Sequence, residues 1–359
     1  MPKLEVVLRH YDYQLPKELI AQAPLKPRDR ARLLIYRPTN SKTRASGAIK
    51  FDRFYNIGKY LPKNSVLVFN QTKVVPARLW MKKPSGGKVQ ILYIGQEDGL
   101  IKVIADRKLS IGSILQLNQH KFIVKNQKEN FYFLKLQSKI SIEKLMQKFG
   151  QTPLPPYIKN SPLTESQRRK EYQSIFAKAG LSVAAPTASL HFTKKLISKL
   201  KKQGIEVKFV TLNVNLGTFA PLKEENLKTG TLHSETYEID KKTAYDLNRL
   251  KKESKTIIAV GTTVVRTLES AARPFHSRES GNPEFEISKL SGDTKLFIRP
   301  GYKFKFVDGL ITNFHVPKSS LMMLVGALIG RKKLLELYQK AIKNKFRFFS
   351  FGDGMLILK

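Results

Sequence analysis

Residues 307–320 read Val-Asp-Gly-Leu-Ile-Thr-Asn-Phe-His-Val-Pro-Lys-Ser-Ser, which sets Asp308, Thr312, Asn313, His315 and Lys318 among apolar residues. The segment predicts a turn at Asp308-Gly309, a short strand over 310–314, a break at Pro317 and a helix capped by Ser319 or Ser320. On an extended strand Asn313 and His315 share one face with Ile311, and Leu310, Thr312 and Phe314 take the other. Two readings are open. The pair is buried and satisfied, or it belongs to a site at a strand end ahead of a helix N-terminus, where open sheets gather polar groups and backbone donors.

Three further constellations share this character. A strand over 256–260 runs into Gly261-Thr262-Thr263 and a helix bearing Arg266 and Glu269. It reads as an anion or nucleoside seat, or as a capped helix with a surface Arg-Glu pair. Residues 182–193, ending in His191, are small and hydroxyl-rich, which lets a ligand approach the backbone closely or simply packs a tight loop. His233 stands two residues from Glu235 and shares its face if extended, as an acid–base pair or an exposed strand pair. The chain has no G-x-G-x-x-G, Walker lysine, G-x-S-x-G or H-E-x-x-H motif, so dinucleotide, nucleoside-triphosphate and common hydrolase chemistries find no support. What remains is a pocket of hydroxyls, amides, histidine and one or two carboxylates.

The elements that must position these residues follow from pattern. A length of 359 residues predicts about two domains, and 41% hydrophobic residues suffice for their cores. Zero cysteines exclude disulfides, and six scattered histidines give no ligand set, so no metal is expected. The N-terminus lacks a signal-peptide pattern, and the longest apolar run, nine residues over 321–329, is too short to span a bilayer. A cytoplasmic protein is expected. The net charge of +37 would attract a polyanion such as RNA, or reflects a lysine-rich proteome.

Residues 66–69 read as a buried strand opening into a polar turn at 70–73. Short apolar runs at 89–94, 100–105, 113–117, 122–125 and 131–136 predict a small all-β barrel or sandwich, closed off by the connector Pro153-Leu-Pro-Pro156. Beyond residue 170, helices capped by Thr193 and Asp240 alternate with strands over 205–214 and 256–260. The fold expected is therefore α/β: a layered main domain (1–80 plus 151–359) with an inserted small β domain (81–150). Residues 273–293, including His276, read as a surface loop insertion.

Ordered segments across nearly the whole chain carry a resemblance to a known family. They are Tyr11-Asp-Tyr-Gln-Leu-Pro16 with Leu19-Ile-Ala-Gln22, residues 28–34 and 70–79, Gly86-Gly-Lys-Val89, residues 153–158, and Tyr172-Gln173 with Ala177-Lys178. Residues 182–193, Gly217-Thr-Phe219, His233-Ser-Glu235, residues 259–272 and 299–320, and Gly352-Asp353 complete them. Together they resemble the S-adenosylmethionine:tRNA ribosyltransferase-isomerases of queuosine biosynthesis. The resemblance implies an α/β domain interrupted by a six-stranded closed antiparallel β-barrel. It also implies transfer and isomerisation of the ribosyl part of S-adenosylmethionine onto 7-aminomethyl-7-deazaguanine at the tRNA wobble position, giving epoxyqueuosine, adenine and methionine. S-adenosylmethionine would be consumed as a co-substrate with nothing bound permanently, and a monomer is expected.

Such a reaction needs a base for the carbon beside the sulfonium, a donor that helps adenine leave, and exclusion of water. Asp308 and His315 are the first candidates for proton handling, with Glu235 and Asp353 as further ones. Asn313, Thr262 and Arg266 are expected to orient the nucleoside, and Asn70, Thr72, Arg78, Lys178, Thr187, His191, Thr218, His233 and Thr312 complete the expected binding set. The chain departs from the family at Asn213 and Asn215, where His and Gly are usual, at Gln71 for Asp, and at Ser189 for Gly. An asparagine at 213 cannot act as acid or base near neutral pH. The rival reading is a basic tRNA-binding protein without catalysis. The enzymatic reading requires the clusters from Asn70 through Asp353 to converge on one cleft, with Asp308, Arg266 and His191 as the test.

Overall fold

The computed structural model describes residues 4–38, 48–214, 222–275 and 284–359. Its main element is a nine-stranded sheet. In chain order the strands are β1 (Arg32–Arg37), β2 (Ala48–Arg53), β3 (Ser65–Asn70), β12 (Glu206–Leu212), β13 (Thr231–Glu238), β14 (Thr256–Val260), β17 (Ser291–Leu296), β18 (Gly309–Asn313) and β19 (Gly354–Leu358). Across the sheet they run β17-β13-β12-β3-β14-β18-β19-β1-β2. The four central strands β12, β3, β14 and β18 are mutually parallel, and β19 returns antiparallel to β18.

Central strands covered on both faces read as continuous apolar runs, which is why Val66 to Phe69 and Ile257 to Val260 carry no polar residue. Their period of two divides them between two cores. Val66, Val68, Ile257, Ala259 and Leu310 face one side, and Leu67, Phe69, Ile258, Val260 and Ile311 face the other. The helices that cover these faces start where the sequence places their caps. Thr193 Oγ1 accepts from Leu196 N at 3.1 Å, Asp240 Oδ1 from Thr243 N at 2.9 Å and Ser319 Oγ from Met322 N at 3.4 Å. Such caps satisfy backbone donors that the first helical turn leaves open.

The second element is a closed six-stranded barrel of antiparallel pairs. It is built from β5 (Arg78–Lys82), β6 (Lys88–Glu97), β7 (Leu100–Ala105), β8 (Ile114–Leu117), β9 (His120–Lys128) and β10 (Phe131–Leu136), in the order β10-β7-β6-β5-β8-β9. Five of the six match the apolar runs. The remaining strand, β5, merges in sequence with the segment that leaves β3, so pattern alone does not separate it. Alternate residues such as Leu79, Met81, Val89, Ile91, Phe122 and Val124 fill the interior. At the neck, Arg78 and Gln151 exchange backbone hydrogen bonds of 3.1 and 2.8 Å, tying the entering chain to the leaving one.

Two short pairs complete the strands, β4 (Thr72–Val74) with β11 (Ala179–Ser182) and β15 (Ala272–Phe275) with β16 (Glu284–Ile287). The latter corrects the loop reading of 273–293, because its two ends pair as a ladder and β17 joins the main sheet. His276 lies outside the described residues. No helix among the described residues is long and apolar enough to cross a membrane.

Candidate active site

Parallel strands that end together expose their C-terminal backbone at one edge, and loops there can surround a ligand. At that edge β14 ends at Val260, just before Gly261, and β18 at Asn313, and a cleft of about 670 Å³, counting its open mouth, lies above them. Gly261 adopts φ +99°, a conformation that suits glycine, and turns the chain into the helix Thr262–Ala271, whose N-terminus no side chain caps. Thr187, Thr262, Thr263, Thr312, Asn313 and His315 line the cleft.

The strand stops at Asn313, one residue short of the expected end, and this changes the neighbours of His315. Asn313 does lie on the Ile311 side, but the chain has left the strand by His315, so the imidazole meets Thr312 instead. Thr312 Oγ1 and His315 Nε2 are 2.8 Å apart. The His315 backbone is fixed from both directions: its N–H donates to Tyr338 Oη at 2.8 Å, and its carbonyl accepts from the Tyr13 hydroxyl. Asp308-Gly309 likewise forms no turn, because Gly309 already pairs with Leu358 in the sheet.

Behind the cleft, Asn313 Nδ2 donates to Phe349 O and to His191 Nε2, both at 3.2 Å. A carbonyl oxygen can only accept, so the amide turns its NH2 toward Phe349 and its oxygen away. That leaves Asn313 Oδ1 buried with no hydrogen bond. Thr263 Oγ1 and Ser189 Oγ are buried and unpaired in the same way. Buried polar atoms are rarely left unpaired in folded proteins, and two of these, on Asn313 and Thr263, belong to side chains that line the cleft, where a polar ligand can pair them. Burial holds both imidazoles neutral: it lowers the pKa of His315 to about 4 and, with Arg347 and Arg28 nearby, that of His191 to about 3. Tyr157 and Ser350 also line the cleft, their hydroxyls 2.8 Å apart, with burial pushing the Tyr157 phenol up to about 12. Neither was singled out from sequence; Tyr157 follows the proline connector and Ser350 sits within a phenylalanine run, with no local signal for either.

The other expected members lie elsewhere. Asp308 is at the opposite end of β18, roughly 15 Å from the cleft by strand length, where its carboxylate pairs with Lys251 Nζ at 2.6 Å and accepts from Ile257 N at 2.9 Å. Arg266 turns from the cleft to pair with Glu235, and its guanidinium also donates to Thr294 O and Leu296 O at 3.3 and 3.2 Å. Both partners are buried, and burial brings Arg266 down to about 10. The alternative reading of a surface Arg266–Glu269 pair is corrected, because Glu269 accepts from the backbone N–H groups of Lys305, Phe306 and Val307. A register shift between Thr231 and Glu235 breaks the strand alternation, so His233 is exposed while Glu235 is buried, and they form no acid–base pair.

Asp353 accepts from the backbone of Arg32 and Arg347 at 2.8 and 2.7 Å, with its pKa raised by burial against those hydrogen bonds. Asn70 bridges the ends of β3 and β12 through both the N–H and the carbonyl of Leu212, and Thr72 Oγ1 donates to Asn213 Oδ1 at 3.1 Å. Asn213 also accepts from Leu181 N at 3.1 Å, a hydrogen-bonding task that needs no titratable group. Arg78 donates to Leu154 O at the barrel neck, and Lys178 is exposed. Thr218 and Asn215 lie outside the described residues. The expected convergence is thus corrected, and the test set on Asp308, Arg266 and His191 fails for the first two, so the enzymatic reading rests on the cleft's own lining instead. His191 joins the cleft through Asn313, whereas Asp308, Arg266, Glu235 and Asp353 hold the surrounding backbone.

With this geometry in place, likeness to known proteins can be read. The chain is 44% identical over 98% of its length to the S-adenosylmethionine:tRNA ribosyltransferase-isomerase of Carboxydothermus hydrogenoformans, covering 99% of that protein. It is 41% identical over 98% of its length to the protein of the same name from Aquifex aeolicus, covering 99% of it. A crystal structure of S-adenosylmethionine tRNA ribosyltransferase from Thermotoga maritima aligns over 97% of this chain and 100% of that one, at 33% identity and a TM-score of 0.53. Residues 8–357 match the family described as queuosine biosynthesis protein, and the chain belongs to that family.

Proposed function

We propose that this protein is an S-adenosylmethionine:tRNA ribosyltransferase-isomerase. It transfers and isomerises the ribosyl part of S-adenosylmethionine onto 7-aminomethyl-7-deazaguanine at the tRNA wobble position, yielding epoxyqueuosine, adenine and methionine. The sulfonium compound is a consumed substrate, and the protein works as a cytoplasmic monomer with no resident cofactor.

The observation that carries this reading is the pair of unpaired buried oxygens, Asn313 Oδ1 and Thr263 Oγ1, on side chains that line a cleft whose His315 is neutral, with a neutral His191 behind Asn313. An adenine amine and ribose hydroxyls supply the donors such acceptors lack. His315 is the cleft's proton-handling group, because it lines the cleft unprotonated at neutral pH, a weaker base than a free imidazole since burial lowers its pKa to about 4, and Thr312 fixes the direction of its ring. The Tyr157 phenol, protonated throughout the neutral range, can donate to a departing base. Phe314, Leu321 and Phe349 line the same cleft and keep water from reactive intermediates.

The test is adenine release from S-adenosylmethionine by purified protein. Release that requires tRNA carrying 7-aminomethyl-7-deazaguanine is expected. Tight tRNA binding without release would replace the enzyme by a binding protein.

A further inference from the structure

The sole tryptophan of the chain, Trp80, sits mid-strand in β5 with 45% of its surface exposed. Its neighbours Leu79 and Met81 point into the barrel, so alternation sends Trp80 and Lys82 to the outer face. A large aromatic ring left in water forgoes much burial, and an exposed one is a common mark of a contact surface.

Register defines what surrounds it. Trp80 lies opposite Gln90 of β6, and Lys82 lies opposite Lys88. On its other side Lys82 pairs with Gln116 of β8, which pairs with Lys121 of β9. Lys88, Lys82, Gln116 and Lys121 therefore form one row across four neighbouring strands, about 14 Å wide at the usual strand spacing. Like charges directly opposite each other weaken a strand pair, so the Lys82/Lys88 pairing works against the barrel unless an anion lies over it. No carboxylate among the described residues forms an ion pair with the row. Strands β5, β8 and β9 contain none, Glu97 of β6 is held by Lys102 at 2.9 Å, and Asp106 accepts from Gln90 N and Arg107.

We propose that this face docks an unpaired nucleotide of the tRNA substrate, its base stacked on Trp80 and the adjoining phosphates on Lys82, Lys88 and Lys121. An aromatic platform beside a basic row is the arrangement that holds single-stranded nucleic acid, and Gln90 and Gln116 add amides that can meet a base edge. The barrel is also attached on the cleft side: strand β5 starts eight residues after Asn70, which ends β3 at the sheet edge that carries the cleft. The proposal rests on the tRNA-modifying reading and deepens it by naming a contact surface.

Because Trp80 is the sole tryptophan, its fluorescence reports on this face alone. Saturating tRNA is expected to change Trp80 emission and shield it from a soluble quencher. Trp80→Ala should raise the KM for tRNA about tenfold with kcat little altered, and Trp80→Phe should restore most of the loss. The double variant Lys82→Gln/Lys88→Gln should reduce the slope of log Kd against log salt by roughly 1.4–1.8. Unchanged emission with tRNA bound, an unaltered KM in Trp80→Ala, or a dimer that Trp80→Ala dissolves would each overturn the proposal. Wild-type protein that binds tRNA but releases no adenine would sink the enzymatic reading, and the emission change would still decide the docking face.

Discussion

Thr312 Oγ1 and His315 Nε2 lie 2.8 Å apart although a regular strand would turn their side chains to opposite faces. Ending β18 at Asn313 is what lets them meet. His315→Ala is therefore expected to lower kcat by about 10²-fold or more while the Kd for tRNA barely moves. Equal losses in both would contradict a proton-handling role. Thr312→Val should reproduce part of the kcat loss, since it leaves the ring nitrogen without a hydroxyl.

Acid stability follows from the two buried imidazoles. Their folded pKa values, about 4 for His315 and about 3 for His191, lie below the ordinary 6.5, so the unfolded chain binds more protons between those limits. Stability then rises with pH in that window and is lost on acidification from about 6.5 toward 4, by a few kcal/mol in total. Urea midpoints measured across the window should show this slope, and His191→Asn should flatten it. A wild-type midpoint constant from pH 6.5 to 4 would exclude it.

Asp308→Asn separates the two ends of β18. Loss of the half-exposed Lys251 ion pair should cost about 1–2 kcal/mol, read as a lower melting temperature. Adenine release per folded molecule should be unchanged. A large fall in kcat without loss of stability would return Asp308 to the chemistry.

The Arg266–Glu235 pair is a test of structure. Glu235→Ala strands a buried guanidinium and should cost about 3–5 kcal/mol, visible in denaturant unfolding. Glu235→Gln, which keeps an acceptor, should recover part of it. Unaltered stability in Glu235→Ala would show that the guanidinium finds another anion or water.

Where local physics dominates, the sequence was a sufficient guide. Continuous apolar runs at 66–69 and 256–260 marked strands buried on both faces, and Thr193, Asp240 and Ser319 marked helix starts because each offers an oxygen to an otherwise open backbone N–H. The site was legible only in part. Asp308 and His315 are close in sequence, yet a strand separates its two ends, so only His315 reaches the cleft. Glu235 lost its expected partner to a register shift, and Arg266 captured it from the helix that follows β14. Tyr157 and Ser350 arrive from distant loops, which no spacing rule reports.

No charged side chain lines the cleft among the described residues. A sulfonium centre seated there would therefore carry its positive charge without a counter-ion, in surroundings far less polarisable than water. Removing a proton from the adjacent carbon yields an ylide with no net charge at that centre, so the same desolvation that disfavours the cation acidifies its C–H bond. By this logic a carboxylate engineered into the cleft would tighten the grip on the ground state and slow the reaction it was meant to help.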